Sequence, residues 1–554
     1  MNYTDLFRPA ASHGGPRKRS RMLTVLSLLL TWFLGPLLAL AGAQPVGLRT
    51  DEKDLSMQRE ENPPMVVLTR TPPEPEVNPE DFEVRDGFTL VDSLDAFRRA
   101  LHRDDQKIRL KPGVYTAEST HGKIKGKNSI FGVTGSNNHF DLRGAVIETP
   151  ASVMKTLPKK VHVPQSWVIT GDGNTFEGGY FRNVLDEKFP FHSSQNEFEV
   201  RADDTTLRGG TFVVKGSFPY GHTDFYGKGS GRWTSLNKHS FMAVSDVENF
   251  RLINADLYHQ SFGHGVHFHG TKEGLIKGCN LYGTVRPTND IIEPGKAVPK
   301  GLGDFTENNV YSPPGRYETA GPAAKHDYQI KYRGSRPIPP NEMIPLTEDG
   351  VRSYNNVEDI TVKNTYIERF RHCLTLNGPG DYLYENVTVR EAGNIAFQTA
   401  SSEGDVVVRN SFSDVAYSPL LDLTTRAPVP NGDFYEFTVL SARDPEAERV
   451  FTSTELEAPK CVGSIHGKDT TFVFRDGKTR ELPDRFNYIR VAGKGLKDSV
   501  IVNLTSAEVR LHEKASGSLI ISAGPVTGKN GQNKIQRIRF PDLYDSLLED
   551  VERD

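Results

Sequence analysis

Residues 259–270 read "HQSFGHGVHFHG" and place His259, His264, His267 and His269 within one short stretch. Imidazole takes and gives a proton near neutral pH, and its ring nitrogens also bind metals. His264, His267 and His269 spell H-x-x-H-x-H. Two of them at strand spacing share a face, yet a metal site needs three or four converging ligands. No carboxylate or cysteine stands at helpful local spacing, so the sequence leaves any metal unassigned and points first to acid–base chemistry. Other chemistry-bearing residues flank the cluster: Glu199 and Arg201 in "NEFEVR", Lys238 and His239 in "NKHSFMAV", Tyr258 just before it and Lys272 just after.

These side chains must be positioned by strands. In "GVHFHG" alternation sends Val266 and Phe268 inward and His267 and His269 outward. Carried to the neighbouring segments, the same register places Glu199, His239, His267 and His269 on one outer face. A slip of one residue would bury the histidines instead. The strands belong to a repeat. "DITVKNTYIERF" (359–370), "DYLYENVTVREA" (381–392) and "DVVVRNSFSDVA" (405–416) share alternating β-branched or aromatic residues followed by Asn364, Asn386 and Asn410, which are 22 and 24 residues apart. Asn254 and Gly278 continue the series 24 apart, "TFEGGYF" and "TTLRGGTF" put glycine at the bend, and "DSVIVNLTSAEV" around Asn503 reads as a late member. A unit this small cannot bury its own face, so the units must stack as coils at the strand spacing of about 4.8 Å. Asparagine and glycine tolerate the left-handed backbone of a bend, and stacked asparagines bond in a ladder. No helical pattern alternates with the strands. The expected fold is all-β: a right-handed parallel β-helix over residues 81–425, with a short capping helix begun by Ser93 that buries Leu94, Phe97 and Leu101.

The opening "IRLKPGVYTA" and the asparagine-ended coils resemble the pectate-lyase-like (pectin lyase-like) β-helix superfamily, which includes polysaccharide lyases, some glycoside hydrolases and uronate epimerases. The resemblance implies a carbohydrate-active protein, best matched to a polysaccharide lyase acting on an anionic, uronic-acid-containing polysaccharide. In such a β-elimination a base removes the C5 proton while a cation steadies the developing carboxylate dianion. His267, His269 and His239 are the candidate bases, Tyr258 and Lys272 the candidate acids, and Glu199, Arg201 and Lys238 candidate substrate contacts. An insertion at about 285–350 leaves the solenoid directly after the histidine coil; its Lys331, Tyr332 and Arg333 suit carboxylates and sugar ring faces. No cofactor is certain from the sequence; calcium is possible, as in lyases of this group, without an acidic cluster here to place it. Glycoside hydrolysis by paired carboxylates is the alternative. Gly263-His264-Gly265 resembles the G-H-G of polygalacturonases, but "LYHQSF" lacks the paired aspartates that should precede it. A non-catalytic surface or adhesion β-helix is the reading from another class. The arginine-proline signature of pectate lyases and the D-P-H-D pattern of alginate epimerases are both missing.

The ends of the chain and its bulk composition fit a secreted or periplasmic, or cell-surface, protein. A basic cluster (Arg17, Lys18, Arg19, Arg21) precedes an apolar run ending in Ala41-Gly42-Ala43, the pattern of a signal peptide over residues 1–43. Residues 44–80 are rich in proline and acid and read as a linker, and residues 426–554 as terminal coils or a small β domain with an acidic tail. Loss of residues 1–43 leaves 62 Lys/Arg against 70 Asp/Glu, which excludes a general nucleic-acid binder. No other stretch is apolar enough to span a membrane. The three cysteines exclude a disulfide scaffold and read as buried thiols.

Overall fold

The computed structural model describes residues 68–80, 85–124, 127–157, 165–187, 195–216, 239–261, 263–287, 310–312, 315–319, 330–332, 343–345, 347–392, 395–414, 419–423, 428–440, 461–476, 488–529 and 531–538. The signal-peptide segment and the acidic tail from residue 539 lie outside them. Among the described residues no helix is long and apolar enough to cross a membrane.

The chain is a parallel β-helix, as the repeats require. Its coils contribute strands to two long sheets whose neighbours along the stack pair in parallel. One sheet takes two short strands from each early coil. Leu275–Lys277 and Asn280–Tyr282 then both pair with the single strand Ile360–Glu368, so the two rows fuse. At the fusion point stands Asn364, with φ 49°. Asn254, Asn386, Asn410 and Gly278 share its left-handed backbone. Asn386 Nδ2 donates to Asn364 Oδ1 at 2.9 Å, and Asn410 Nδ2 donates to Asn386 Oδ1. This is the expected ladder. Asn503 departs from it: its backbone is ordinary, and its buried amide donates to the Ala507 carbonyl and the Ser522 hydroxyl. Asp498, at φ 48°, makes a different left-handed bend, ahead of that coil's strand, where Asp469 stands one turn earlier.

The second long sheet runs through Gln195–Val200, His239–Ser245, Val266–His269, Thr347–Tyr354, Phe370–Gly378 and Ile395–Ser401. Phe131, Trp167 and Phe198 stack down the interior, and Val266, Phe268, Val351, Leu374 and Phe397 continue that core fully buried. Burial of such side chains is the main stabilising term of the stack. Ser93 caps the helix Leu94–Ala100, which covers the first coils with Phe97 and Leu101. Strands Phe434–Leu440, Thr471–Asp476, Val500–Leu504, Leu519–Ser522 and Lys534–Arg537 extend the first sheet without a break in topology. Cys279, Cys373 and Cys461 are buried and unbridged. Within the 285–350 insertion, Val310–Ser312, Gly315–Thr319 and Ile330–Tyr332 form a small antiparallel sheet.

Candidate active site

Val266 and Phe268 enter the core, so His267 and His269 take the opposite face of their strand. Their neighbours follow from the register. His267 lies beside Ala243 on one side and Arg352 on the other, and His269 beside Ser245 and Tyr354. Glu199 pairs with Ala243, and Thr375 and Gln398 continue the His267 row past Arg352. The His269 ring stacks on Tyr354 with centroids 4.7 Å apart and planes 11° apart. The Arg352 guanidinium lies 4.4 Å from the centre of the same phenol ring, close enough for cation–π attraction. His267 meets both His264 and His269 edge to face, each at 5.2 Å.

At the upstream end of these strands sits a buried ionic cluster around Asp349. Its carboxylate accepts from Arg352 at 2.5 Å, from Arg371 at 2.9 Å and from His372 Nδ1 at 2.9 Å. His264 Nδ1 lies 3.2 Å from the same carboxylate, and its Nε2 faces Glu348 Oε2 at 3.2 Å and the Tyr354 hydroxyl at 2.8 Å. Burial alone would raise the Asp349 carboxyl. The Arg371 and Arg352 charges and the two imidazole bonds outweigh it and hold the group well below the usual carboxylate range. Burial, with Arg371 next, pushes His372 down, only partly countered by Asp349. Burial also raises the Tyr354 phenol far above its ordinary value, so it is a neutral proton carrier.

The four histidines of the motif therefore differ in kind. His259 is fully buried; its Nε2 donates to the His264 carbonyl and its Nδ1 accepts from the Ser261 N–H. Burial and the neighbouring histidines push it down to about 3, which removes it from acid–base work near neutral pH. His264 belongs to the carboxylate cluster. His267 and His269 take the face opposite the core, where His267 is buried beneath its neighbours and His269 is partly exposed.

Several anticipated residues sit elsewhere. His239 is not on the His267 row: it begins its strand four positions before Ala243 and turns into a buried corner, facing Glu197 at 3.3 Å and the Lys215 carbonyl at 2.9 Å. Tyr258 lies in the other long sheet, packed 5.0 Å from Tyr282. Lys272 stands at a bend beside Glu358 at 3.7 Å. Glu199 is on the face but buried, accepting from Arg201 at 2.8 Å and Asn196 at 3.1 Å. Lys331 and Tyr332 lie on the last strand of the insertion's small sheet, while Lys238 and Arg333 fall outside the described residues. The residues that reasoning from sequence missed are Glu348, Asp349, Arg352, Tyr354, Arg371 and His372. A signal for the middle pair existed: "GVHFH" at 265–269 is matched by "GVRSY" at 350–354, which puts Arg352 and Tyr354 in the places of His267 and His269.

His264, Glu348 and Asp349 offer ligand atoms within 4.8 Å of one another. Calcium takes six to eight oxygen ligands. Here one donor is an imidazole nitrogen and Asp349 already serves two guanidiniums, so the set does not fit calcium.

No family model matches the chain, and no curated protein matches it. Among solved structures it is similar to a PL6 alginate lyase in complex with a trisaccharide, at 11% identity and a TM-score of 0.37, covering 82% of this chain and 89% of that one. It is also similar to the catalytic domain of a GH87 α-1,3-glucanase bound to nigerose, at 10% identity and a TM-score of 0.36, covering 85% and 70%. A third likeness is to the DFA-IIIase of Arthrobacter chlorophenolicus A6, at 9% identity and a TM-score of 0.33, covering 80% and 93%.

Proposed function

We propose that the protein is a secreted polysaccharide lyase that cleaves a uronic-acid-containing polymer by β-elimination on the His267–Tyr354 face. The observation that carries this reading is the Tyr354 hydroxyl, 2.8 Å from His264 Nε2, with its ring stacked on His269 and under Arg352. In the proposed step neutral His269 takes the C5 proton. The electron pair left on C5 forms the C4–C5 double bond as the C4–O4 bond breaks, and the Tyr354 phenol gives its proton to O4. Arg352 neutralises the uronate carboxylate while charge builds on it. In this step His264 is assigned a proton on each ring nitrogen, Nδ1–H directed at Asp349 and Nε2–H at the Tyr354 oxygen, which steadies the phenolate and leaves the phenol proton for the leaving group. The acid role thus passes to Tyr354 from Tyr258 and Lys272.

Hydrolysis is less well supported. It needs two carboxylates facing the sugar. On this face Glu199, Glu348 and Asp349 are buried and engaged by Arg201, His264, Arg352 and Arg371. The deciding experiment incubates the protein with a panel of uronate polymers. Ultraviolet absorbance of the unsaturated product, rising with new reducing ends, supports elimination. Reducing ends without that absorbance refute it.

A further inference from the structure

A strap from the start of the described chain reaches the base of the insertion. Leu68–Thr69 pairs antiparallel with Thr284–Pro287, Leu68 opposite Val285. The other edge of Thr284–Pro287 pairs with Met343–Pro345, Val285 opposite Pro345. The first of these strands leads into the insertion and the second leaves it, so residues 68–69 complete a small sheet that holds its two feet together. Thr347 follows. Its hydroxyl accepts from the Thr284 N–H at 3.4 Å and donates to the Arg369 carbonyl at 2.7 Å, while the Thr284 hydroxyl donates to the His259 carbonyl at 2.9 Å. Glu348 and Asp349 come next, and the Glu348 N–H donates to the Gly263 carbonyl at 2.8 Å.

Arg70 fastens the strap. Its Nε donates to Glu368 at 2.7 Å, a second nitrogen reaches the other carboxylate oxygen at 3.5 Å, and the guanidinium lies 5.7 Å from the Tyr282 ring centre. The Glu368 side chain is fully buried, its carboxylate also accepts from the Tyr366 hydroxyl, and its carbonyl accepts from the Gly283 N–H, one residue before Thr284. Arg369, 3.9 Å from that carboxylate, is already committed to Glu391 at 2.6 Å. A contiguous set of bonds therefore runs from Arg70 through Glu368, Gly283, Thr284 and Thr347 to the acidic pair.

We infer that residues 68–70 are a strap that sets the position of Glu348 and Asp349, with Arg70 as a positioning residue for the site; the kinetic half of its test rests on the lyase reading, and the structural half does not. The test uses the full chain with Arg70→Ala and Arg70→Lys. Without substrate, native-state hydrogen exchange should quicken roughly 10-fold or more at Thr284 and at residues 347–350 in Arg70→Ala, with Arg70→Lys intermediate and residues 500–522 unchanged. On a polyuronate, kcat should fall about 10-fold with KM nearly constant, and Arg70→Lys should recover most of it. Faster exchange confined to residues 68–70, with 347–350 protected as before, would overturn the strap. If Arg70→Ala does not fold, Glu368→Gln removes the same ion pair and takes its place. Absence of turnover on every polyuronate sinks the lyase reading and leaves the exchange result to decide the strap; intact turnover with unchanged exchange does the reverse.

Discussion

Replacement of Asp349 by asparagine should be among the most damaging single-atom changes in this molecule. The carboxylate is fully buried and accepts from Arg352, Arg371 and His372, with His264 Nδ1 also within 3.2 Å. Bonds to a charged group contribute about 1.5–3 kcal/mol each, and stripping one partner from a buried ion pair costs about 3–5 kcal/mol. Asparagine keeps the shape but sets an NH2 group against donors and leaves two guanidiniums with Glu348 alone, which lies 3.7 Å from Arg371. We therefore expect Asp349→Asn to lose about 4 kcal/mol at pH 7, read by urea denaturation and by exchange of the amides at 348–352. The pH dependence gives a second check. The folded carboxyl is held below its unfolded value, so its contribution is complete above about pH 4 and fades as pH falls from there toward the folded value. The mutant should lack that acid-side loss. A change below about 1 kcal/mol at pH 7, or an unaltered acid limb, would refute the assignment of Asp349 as the anchor of the cluster.

Other expectations follow from the same geometry. Tyr354→Phe should lower kcat roughly 100-fold or more while the circular dichroism spectrum stays native; near-normal turnover would remove the phenol from the mechanism. His269→Ala should abolish the absorbance signal and His267→Ala weaken it, and full activity in both would leave the base unidentified. Asp433 is buried, and burial outweighs its bonds from Val406 and Tyr435 to raise it to about 6. Its folded form binds a proton more tightly than the unfolded chain, so stability falls between about pH 4 and 6, by roughly 3 kcal/mol. Asp433→Asn should flatten that fall in urea midpoints measured across the range. Asn386→Ala should cost about 1–2 kcal/mol, since alanine resists φ 55° and both ladder bonds go, whereas Asn386→Gly should cost less; equal losses would discount the backbone strain.

The coil architecture was legible because it is written in repeated local chemistry. Asn254, Gly278, Asn364, Asn386 and Asn410 mark bends that need left-handed backbone, and each adopts it. Alternation around Val266 and Phe268 likewise assigned the two faces of the histidine strand. Alternation fails where a strand meets a corner. His239 turns into the interior there, facing the buried Glu197, so alternation alone misplaces it on the outer face. Asn503 shows the converse: the residue type fits a bend, but its backbone is ordinary and its buried amide braces the corner. The ionic cluster was hidden for a different reason. Glu348 and Asp349 close a long insertion, and the match of "GVRSY" to "GVHFH" spans it. Nothing in local spacing brings Arg371 and His372 to Asp349; only the parallel register does.

The one-rung-per-coil construction of this face bears on how it changes over time. Glu199, Ala243, His267, Arg352, Thr375 and Gln398 are adjacent in space, yet each comes from a different turn of the solenoid. A duplication or excision of one complete turn keeps every remaining strand paired and moves part of the face by a single step of about 4.8 Å. Such an event between Ala243 and His267 would re-space the flanking contacts and spare the proton-transfer residues. One between His267 and Arg352 would part the imidazoles from the guanidinium and phenol. Point substitution retunes individual contacts, whereas gain or loss of a turn re-spaces the groove as a whole, and that freedom ends at two boundaries: between His267 and Arg352, and between Arg352 and Thr375, where a new turn would part Asp349 from Arg371 and His372.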